Sequence, residues 1–294
     1  MTRNRATLIG FTAVLMWALL ALLTIGSAPV PPFQLSAICF AIGGAIGLVW
    51  TAHGPGLASL KSVSWKVYAF GTAGLFGYHF LYFTAFRLGP SAATGLIAYL
   101  WPLFIVLLSG LLPGERLRKG HVIGAFIALA GAGLIVVTAN SGTGGTRPLA
   151  LFLAFLCAVT WASYSVLSRR LGAVPSESVT VYCLATAALS FIAHLALEQT
   201  QWPGGTLGWA AVLALGLGPV GLAFFTWDIG MKKGDIQLLG VASYAAPLLS
   251  TLVLVAAGIA EPTLSLVLAT VLIAAGAALA ARASAGRPPI GPGA

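Results

Sequence analysis

The sequence predicts an all-α integral membrane protein, and three observations support this fold class. The chain has 294 residues, of which 59% are hydrophobic and only 7% are charged, whereas soluble domains carry about 25% charged residues. Its apolar runs have the length of roughly 20 residues that a helix needs to cross a hydrocarbon core. These runs do not alternate apolar with polar residues, as barrel strands would. Most of the surface must therefore face lipid, and the spans are helices whose backbone groups bond internally.

Turn-forming segments divide the chain into ten predicted spans. The stretches "APVPP", "HGPGLASLKS", "GERLRKG" and "NSGTGGTR" are rich in the residues typical of loops. The first apolar run follows "MTRNR" and resembles a signal peptide, but its length and an internal copy later in the chain indicate a retained span. The ten spans are predicted at residues 6–26, 33–52, 66–86, 90–112, 121–139, 149–169, 178–197, 207–231, 236–258 and 263–281.

The basic residues orient these spans. With the N-terminus in the cytoplasm, all of the 15 Lys and Arg residues except Arg87 and Arg147 fall on the cytoplasmic side. This bias follows the positive-inside rule and predicts a multi-pass protein of the bacterial inner membrane with both termini cytoplasmic. The net charge of +9 does not indicate a nucleic-acid partner, because the basic residues are dispersed between apolar runs as loop anchors.

The chain also contains an approximate internal repeat. "YLWP" at Tyr99–Pro102 aligns with "YAAP" at Tyr244–Pro247, and Trp17 aligns with Trp161 at nearly the same offset. Each half holds five spans, an odd number, so the second half should enter the membrane upside down. Inverted repeats are typical of secondary transporters, whose substrate site lies near the midplane between the halves. The predicted organisation is a first repeat at 1–140, a linker at 141–148, a second repeat at 149–282 and a cytoplasmic tail at 283–294.

This pattern resembles the EamA-type branch of the drug/metabolite transporter superfamily. The stretches "PPFQLSAICF", "YHFLYFTAF" and "AYLWPL" resemble more narrowly the YddG-type amino-acid exporters. The resemblance implies a ten-helix basket with a central cavity lined mainly by spans 1, 3, 4, 6, 8 and 9, and export of amino acids by alternating access. Many EamA-type chains carry an arginine early in the second span of each half. That arginine is missing from "QLSAICFAIGG" and "ESVTVYCLATAAL", so a fixed cation for an anionic substrate is absent there.

Aromatic residues with polar tips are predicted near the midplane. Trp and Tyr usually lie at the membrane interface, where their polar tips reach water. At the midplane they need a neighbouring helix, a water-filled cavity or a substrate, and their places on corresponding spans of the repeat favour a cavity. The predicted substrate-binding residues are Trp17, Tyr78, His79, Tyr82, Tyr99, Trp101, Trp161, Tyr164, Ser243 and Tyr244.

Among the ionisable residues, His79 is predicted near the middle of the third span. Ionisable groups inside a membrane usually face a pathway. This histidine could hydrogen-bond a substrate carboxylate, carry a proton, or simply donate to a neighbouring carbonyl. Asp228 is predicted to pair with Lys232 at i, i+4, with membership of an internal gate as the alternative. Because the predicted midplane holds no carboxylate, a zwitterion fits better than a charged molecule, and an aromatic wall predicts broad specificity.

Glycine and proline residues predict either bending or close packing. Gly77 lies in "GTAGLFG", and Gly218 and Pro219 lie in "GLGPVG", at corresponding places in the two halves. A hinge and close packing through small residues explain these stretches equally well. The Gly-rich fifth and tenth spans could pack inside one chain or between two, so we expect a monomer or a weak homodimer.

The predicted function is therefore a secondary transporter that exports amino acids, neutral and aromatic ones included. An exporter of drugs, nucleobases or other small metabolites on the same fold is the closest alternative. A channel is disfavoured by the inverted repeat, and an intramembrane enzyme by the lack of an HExxH, GxSxG or paired-carboxylate motif. The cysteines show no metal-ligand spacing. We expect no metal and no cofactor, and we expect amino-acid substrates and the lipid bilayer as partners.

Overall fold

A computed structural model describes residues 1–89, 92–139 and 147–285, and the regular elements within these ranges are all helical. The predicted all-α class is confirmed for this part of the chain. Eight helical stretches within it are long and apolar enough to cross a membrane. The predicted third span is a helix of 24 residues outside these eight, and the fourth contains the shorter apolar stretch Ala93–Ser109. Most of the predicted linker at 141–148 and of the tail at 283–294 lies outside the described residues.

The helices follow one another with short connections. In chain order they are α1 (Arg3–Trp17), α2 (Leu20–Gly26), α3 (Pro32–His53), α4 (Ala58–Lys61), α5 (Trp65–Leu88), α6 (Ala92–Ala98), α7 (Trp101–Ser109), α8 (Lys119–Ala139), α9 (Pro148–Arg170), α10 (Val179–Leu197), α11 (Gly205–Leu217), α12 (Ala223–Lys233), α13 (Ile236–Ala242), α14 (Ala245–Ala256) and α15 (Leu264–Ala285). A 3-10 turn at Ser176–Ser178 precedes α10, and a π-helical turn at Gly218–Leu222 joins α11 to α12.

The predicted fourth and ninth spans are each broken into two short helices. The fourth breaks between α6 and α7, just before Pro102, and the ninth breaks between α13 and α14, just before Pro247. Proline cannot donate a backbone hydrogen bond, and its ring crowds the carbonyl four residues earlier. The two breaks fall at the aligned "YLWP" and "YAAP" stretches, so both halves share this irregularity.

The two Gly-rich stretches predicted as hinges differ in structure. "GLGPVG" forms the π-helical turn, in which a Cβ at Gly221 would collide with the carbonyl oxygen of Gly216. "GTAGLFG" lies within the unbroken helix α5, where Gly71 and Gly74 pack against aromatic rings of the second half. Close packing therefore explains Gly71 and Gly74, whereas the eighth span carries a π-bulge, an irregularity often found at functional sites.

Helices from the two halves pack against one another in matched pairs. The pairs are α1 with α12, α5 with α9, α3 with α10, and α8 with α15. Glycines lie at the crossings: a Cβ on Gly10 would come within 2.8 Å of the Gly230 Cα, and one on Gly124 within 2.6 Å of the Gly276 oxygen. Small residues let membrane helices approach this closely. The Gly-rich fifth and tenth spans, α8 and α15, thus pack together inside one chain.

Candidate functional site

A cavity with a volume of about 540 Å³ lies between the helices, within the range of roughly 300–1,000 Å³ common for small-molecule sites. Its lining includes Thr24, Ile25, Val30 and Pro32, at and beside the connection from α2 to α3. The end of the bundle that carries residues 27–31 and 198–204 is called here the open end. The second span contributes to the wall in addition to the six spans that the resemblance implied. The cavity is lined by Trp17, Leu20, Ala21, Thr24, Ile25, Val30, Pro32, Leu35, Ser36, Cys39, Tyr78, His79, Tyr82, Phe83, Ala98, Tyr99, Trp101, Trp161, Leu215, Pro219, Val220, Phe224, Ala246 and Ser250.

The structure brings most of the predicted binding residues to this one cavity. They come from four separate helical segments and the connection between α6 and α7, and they meet because α5 and α7 pack against α9 while α1 packs against α12. The predicted residues that line the cavity are Trp17, Tyr78, His79, Tyr82, Tyr99, Trp101, Trp161 and Pro219. Those outside its wall are Gly77, Tyr164, Gly218, Asp228, Ser243 and Tyr244.

Three tryptophans form the inner limit of the cavity. The ring centroids of Trp17 and Trp101 lie 6.1 Å apart, those of Trp17 and Trp161 6.0 Å, and those of Trp101 and Trp161 6.4 Å. All three pairs meet edge to face, a favoured aromatic geometry. Trp227 packs behind them, 5.1 Å from Trp17, and donates its indole N–H to Ser165 Oγ at 3.0 Å. Trp17, Trp101 and Trp161 line the cavity, whereas Trp227 lies outside its wall.

The polar tips of these rings fall into two groups. Trp17 donates its indole N–H to the Pro219 carbonyl at 3.1 Å. Within the described residues, the indole N–H groups of Trp101 and Trp161 have no hydrogen-bond partner, and neither is sealed away from the cavity. The hydroxyls of three cavity tyrosines share this property: Tyr78, Tyr82 and Tyr99. The cavity therefore holds polar groups that a bound molecule could satisfy.

His79 lies in the cavity wall among aromatic rings. Its Nδ1 is 2.7 Å from the Leu75 carbonyl oxygen one turn earlier in α5. A carbonyl oxygen only accepts hydrogen bonds, so Nδ1 carries the hydrogen. The ring packs against Phe40 at 5.0 Å and Tyr78 at 5.1 Å between centroids. The donation to a neighbouring carbonyl that the sequence left open as an alternative is thus present, and it occupies one ring nitrogen only.

Phenylalanines complete the wall, and the sequence interpretation missed them. Phe224 stacks on Phe40 with 5.3 Å between ring centroids and an interplanar angle of 22°, and it lies 5.9 Å from His79. Phe83 also lines the cavity, 6.0 Å from His79. Phenylalanine has no polar tip, so a midplane Phe is indistinguishable in sequence from one facing lipid. Its position beside Trp227 in "AFFTWD" was the one available signal for Phe224.

The predicted residues outside the wall have structural contacts. The Tyr244 hydroxyl accepts a hydrogen bond from the Leu103 amide at 3.1 Å, which caps the start of α7. Ser243 donates to the Leu239 carbonyl at 2.7 Å. The ring of Tyr164 lies against Gly74 and Trp161, behind the cavity. These side chains hold the framework around the cavity.

An ion-pair network joins the two halves at the end opposite the opening, called here the closed end and defined by Arg3, Glu115, Arg169 and Asp235. Arg3 lies 3.3 Å from Glu115 and 3.4 Å from Asp235, and Arg169 lies 2.8 Å from Glu115. Arg169 also donates to the carbonyls of Met231 and Gly234. The Glu115 side chain is only 5% exposed and pairs with both arginines, so it links the two halves at this end.

The predicted pair between Asp228 and Lys232 is confirmed. Lys232 Nζ lies 2.8 Å from Asp228 Oδ2, and the same oxygen accepts from Ser176 Oγ at 2.6 Å. Lys232 donates in addition to the Val174 carbonyl at 3.0 Å. The buried charges are therefore paired and hydrogen-bonded, which reduces the cost of removing them from water.

Glu198 organises the open end. Its carboxylate accepts from the amides of Phe33 and Gln34 at the start of α3, pairs with Arg87, and lies 3.0 Å from His194 Nδ1. His194 is buried and links Glu198 to Thr200, which lies 2.9 Å from its Nε2. The three cysteines are free and buried. Within the described ranges, no group of His, Cys, Asp or Glu side chains is arranged to hold a metal ion.

Two segments of the chain, residues 4–137 and 148–282, each match the EamA-like transporter family. The chain belongs to the EamA-like transporter family. The two matched segments fit a two-repeat organisation, and the predicted resemblance to the EamA-type branch is confirmed. The family assignment also supports the prediction of a transporter rather than an enzyme.

Named relatives extend this comparison. The chain is 55% identical over 284 residues to the aromatic amino acid exporter YddG of Ancylobacter novellus, covering 95% of this chain and 98% of that protein. It is 27% identical over 265 residues to the aromatic amino acid exporter YddG of Escherichia coli K12, covering 85% and 88%. A biotin transporter of Escherichia coli K12 is 30% identical over 154 residues, half of each chain. A crystal structure with 52% sequence identity superposes with a TM-score of 0.90, covering 97% of this chain and all of that one.

Proposed function

We propose that this EamA-family protein exports amino acids, neutral and aromatic ones included, from the cytoplasm by alternating access. The observation that carries the proposal is the chemistry of the cavity. Its lining residues, all in the described part of the chain, include no Asp, Glu, Lys or Arg, yet they present open indole, phenol and imidazole groups. Such a wall suits a molecule without net charge that carries both donors and acceptors, as a zwitterionic amino acid does. Relatives named as aromatic amino acid exporters support the same substrate class.

The proposed architecture is ten spans in two inverted five-helix halves, in the bacterial inner membrane. The matched packing of α1 with α12 and of α5 with α9 supports a two-fold relation between the halves, because exchanging the halves converts one pair into the other. Five spans in each half, an odd number, make that relation an inverted one. The closed end carries Arg3, Arg169 and Lys232. By the positive-inside rule this end faces the cytoplasm, and both termini lie there. Arg287, counted in the same bias, lies outside the described residues.

The proposed transport cycle follows from the asymmetry of the two ends. The cavity extends to the open end, whereas the ion pairs of Arg3 and Arg169 connect the halves at the closed end. Loading from the cytoplasm then requires these pairs to separate, and closure of the open end requires bending of a span. The π-helical turn at Gly218–Leu222, with Pro219 in the cavity wall, is the proposed bending point. Gly77 is a weaker second candidate, because α5 is unbroken there.

We further propose that the working unit is a monomer or a weak homodimer. The Gly-rich faces of α8 and α15 are occupied by each other, with backbones in close approach at Gly124 and Gly276. These faces therefore provide no ready dimer surface. Size-exclusion chromatography with light scattering of the protein in detergent tests this, and a stable tetramer would contradict it.

A counterflow experiment tests the substrate class. Liposomes containing only the purified protein are preloaded with unlabelled phenylalanine, and labelled phenylalanine, methionine, threonine, glutamate, lysine or biotin is added outside. We expect accumulation of the neutral amino acids and little accumulation of glutamate, lysine or biotin, because the cavity lining lacks a charge that would balance theirs. Transport of biotin without any amino acid would favour the alternative of a metabolite exporter on the same fold.

A further inference from the structure

We propose that His79 selects the substrate's ammonium group, while the indole N–H groups of Trp101 and Trp161 receive its carboxylate. This inference rests on the proposed function and assigns a direction to the substrate within the cavity. It reverses the role of carboxylate partner that the sequence suggested for His79.

The first step concerns the tautomer of His79. Its Nδ1 donates to the Leu75 carbonyl, so an imidazole with a single hydrogen has none on Nε2. Nε2 then offers only a lone pair. Within the described chain it has no hydrogen-bond partner, and it is not sealed away from the cavity. A ligand group that donates a hydrogen bond, such as an ammonium, satisfies this nitrogen. A carboxylate oxygen is repelled, because it and Nε2 would both present lone pairs.

The second step concerns the donors. Of the three indoles in the wall, Trp17 already donates its N–H to the Pro219 carbonyl. The N–H groups of Trp101 and Trp161 remain available within the described structure. An indole nitrogen donates and never accepts, so these two groups suit a carboxylate and repel an ammonium. The wall thus separates an accepting part from a donating part.

The third step concerns distance and surroundings. His79 and Trp161 both contact Tyr78, with ring centroids at 5.1 Å and 5.2 Å, so the acceptor and one donor lie in a single neighbourhood. Phe224 bridges the same two rings, at 5.9 Å from His79 and 5.8 Å from Trp161. The face of an aromatic ring attracts a cation, so an aromatic wall around His79 is compatible with an ammonium there. In the wall, no carboxylate competes for that role.

Analogues of phenylalanine that lack one charged group provide the test. Phenethylamine keeps the ammonium and lacks the carboxylate, and 3-phenylpropionate keeps the carboxylate and lacks the ammonium. Binding of each compound and of phenylalanine is measured by calorimetry on the purified protein in lipid nanodiscs. The variants are His79→Leu, His79→Gln, Trp101→Phe and, as a control on the lipid-facing side of α9, Phe152→Ala, whose side chain is 57% exposed.

We expect His79→Leu to weaken phenylalanine and phenethylamine at least tenfold and to leave 3-phenylpropionate within about twofold, since one lost charge-assisted hydrogen bond has this magnitude. His79→Gln, which keeps an accepting oxygen, should lose less. Trp101→Phe should show the reverse selectivity, and Phe152→Ala should bind all three compounds as the wild type does. Because each variant retains affinity for one analogue, a folding defect is recognised by the loss of both.

Four outcomes separate the possible failures. If His79→Leu weakens 3-phenylpropionate and spares phenethylamine, His79 donates to the carboxylate and the proposed direction is wrong. His79→Leu could instead weaken both analogues equally while thermal unfolding shows an intact fold. His79 would then shape the cavity without distinguishing an ammonium from a carboxylate, which also overturns the inference. If the wild type binds no phenylalanine, the proposed function itself fails. Normal phenylalanine binding without analogue selectivity defeats only the inference.

Discussion

The indole N–H of Trp17 donates to the Pro219 carbonyl oxygen at 3.1 Å. This bond connects the end of α1 in the first half to the π-helical turn of the eighth span in the second half. The same indole ring packs edge to face against Trp161, its counterpart in the sequence repeat. One side chain therefore links the inner limit of the cavity to the proposed bending point.

Trp17→Phe keeps an aromatic ring and removes this hydrogen bond. We expect a loss of about 1 kcal/mol in the free energy of unfolding and a slower initial rate of amino-acid transport, because the π-helical turn is no longer held in place. Thermal unfolding in detergent and uptake into proteoliposomes measure the two effects. Trp65→Phe is the matched control, since Trp65 is 72% exposed. If Trp17→Phe and Trp65→Phe had the same stability and the same transport rate, the proposed role of the Trp17 hydrogen bond would be contradicted.

The aligned tyrosines of the two broken spans give a second prediction. Tyr244→Phe leaves the buried amide of Leu103 without its partner, which should destabilise the protein by about 1–3 kcal/mol and leave KM unchanged. Tyr99→Phe removes a hydroxyl from the cavity and should raise KM with little effect on stability. Thermal unfolding and the concentration dependence of uptake distinguish the variants. The account is contradicted if Tyr244→Phe changes KM more than Tyr99→Phe does.

Glu115→Gln tests the proposed gate at the closed end. The substitution removes the charge that holds both Arg3 and Arg169, so the two halves should separate more often at this end. We expect a cysteine introduced at Ser168, a buried position next to Arg169, to react several times faster with a maleimide. The background replaces the three native cysteines by alanine. Glu261→Gln, a change at an exposed carboxylate, should leave the reaction rate unaltered.

Residue chemistry predicted much of the cavity wall. Trp17, Tyr78 and Trp101 were predicted because a polar tip at the midplane needs a partner that lipid does not supply, and His79 because ionisable groups inside a membrane usually face a pathway. All four line one cavity. Phe224 was not predicted as a cavity residue, because its side chain has no polar tip. The helical fold class followed from composition alone, since few charges and long apolar runs leave helices as the way to satisfy the backbone in lipid.

Other features depend on tertiary contacts that no local pattern encodes. Tyr99 and Tyr244 are aligned in the repeat, yet only Tyr99 lines the cavity, whereas the Tyr244 hydroxyl accepts a hydrogen bond from the Leu103 amide of α7. Glu115 and Arg169 lie far apart in sequence and pair only after the halves assemble. A proline lies near each break in the sequence, but the sequence did not indicate which side of each broken span would face the cavity.

The most direct test of the central claim is counterflow of labelled phenylalanine by the wild type, His79→Ala, Trp101→Ala and the lipid-facing control Phe152→Ala, with equal reconstitution verified. We predict accumulation by the wild type and by Phe152→Ala, and a loss of most accumulation in both cavity variants, since each lacks one of the groups that the substrate contacts. Full accumulation by His79→Ala and Trp101→Ala together would contradict the account, because phenylalanine would then cross the membrane without using this cavity.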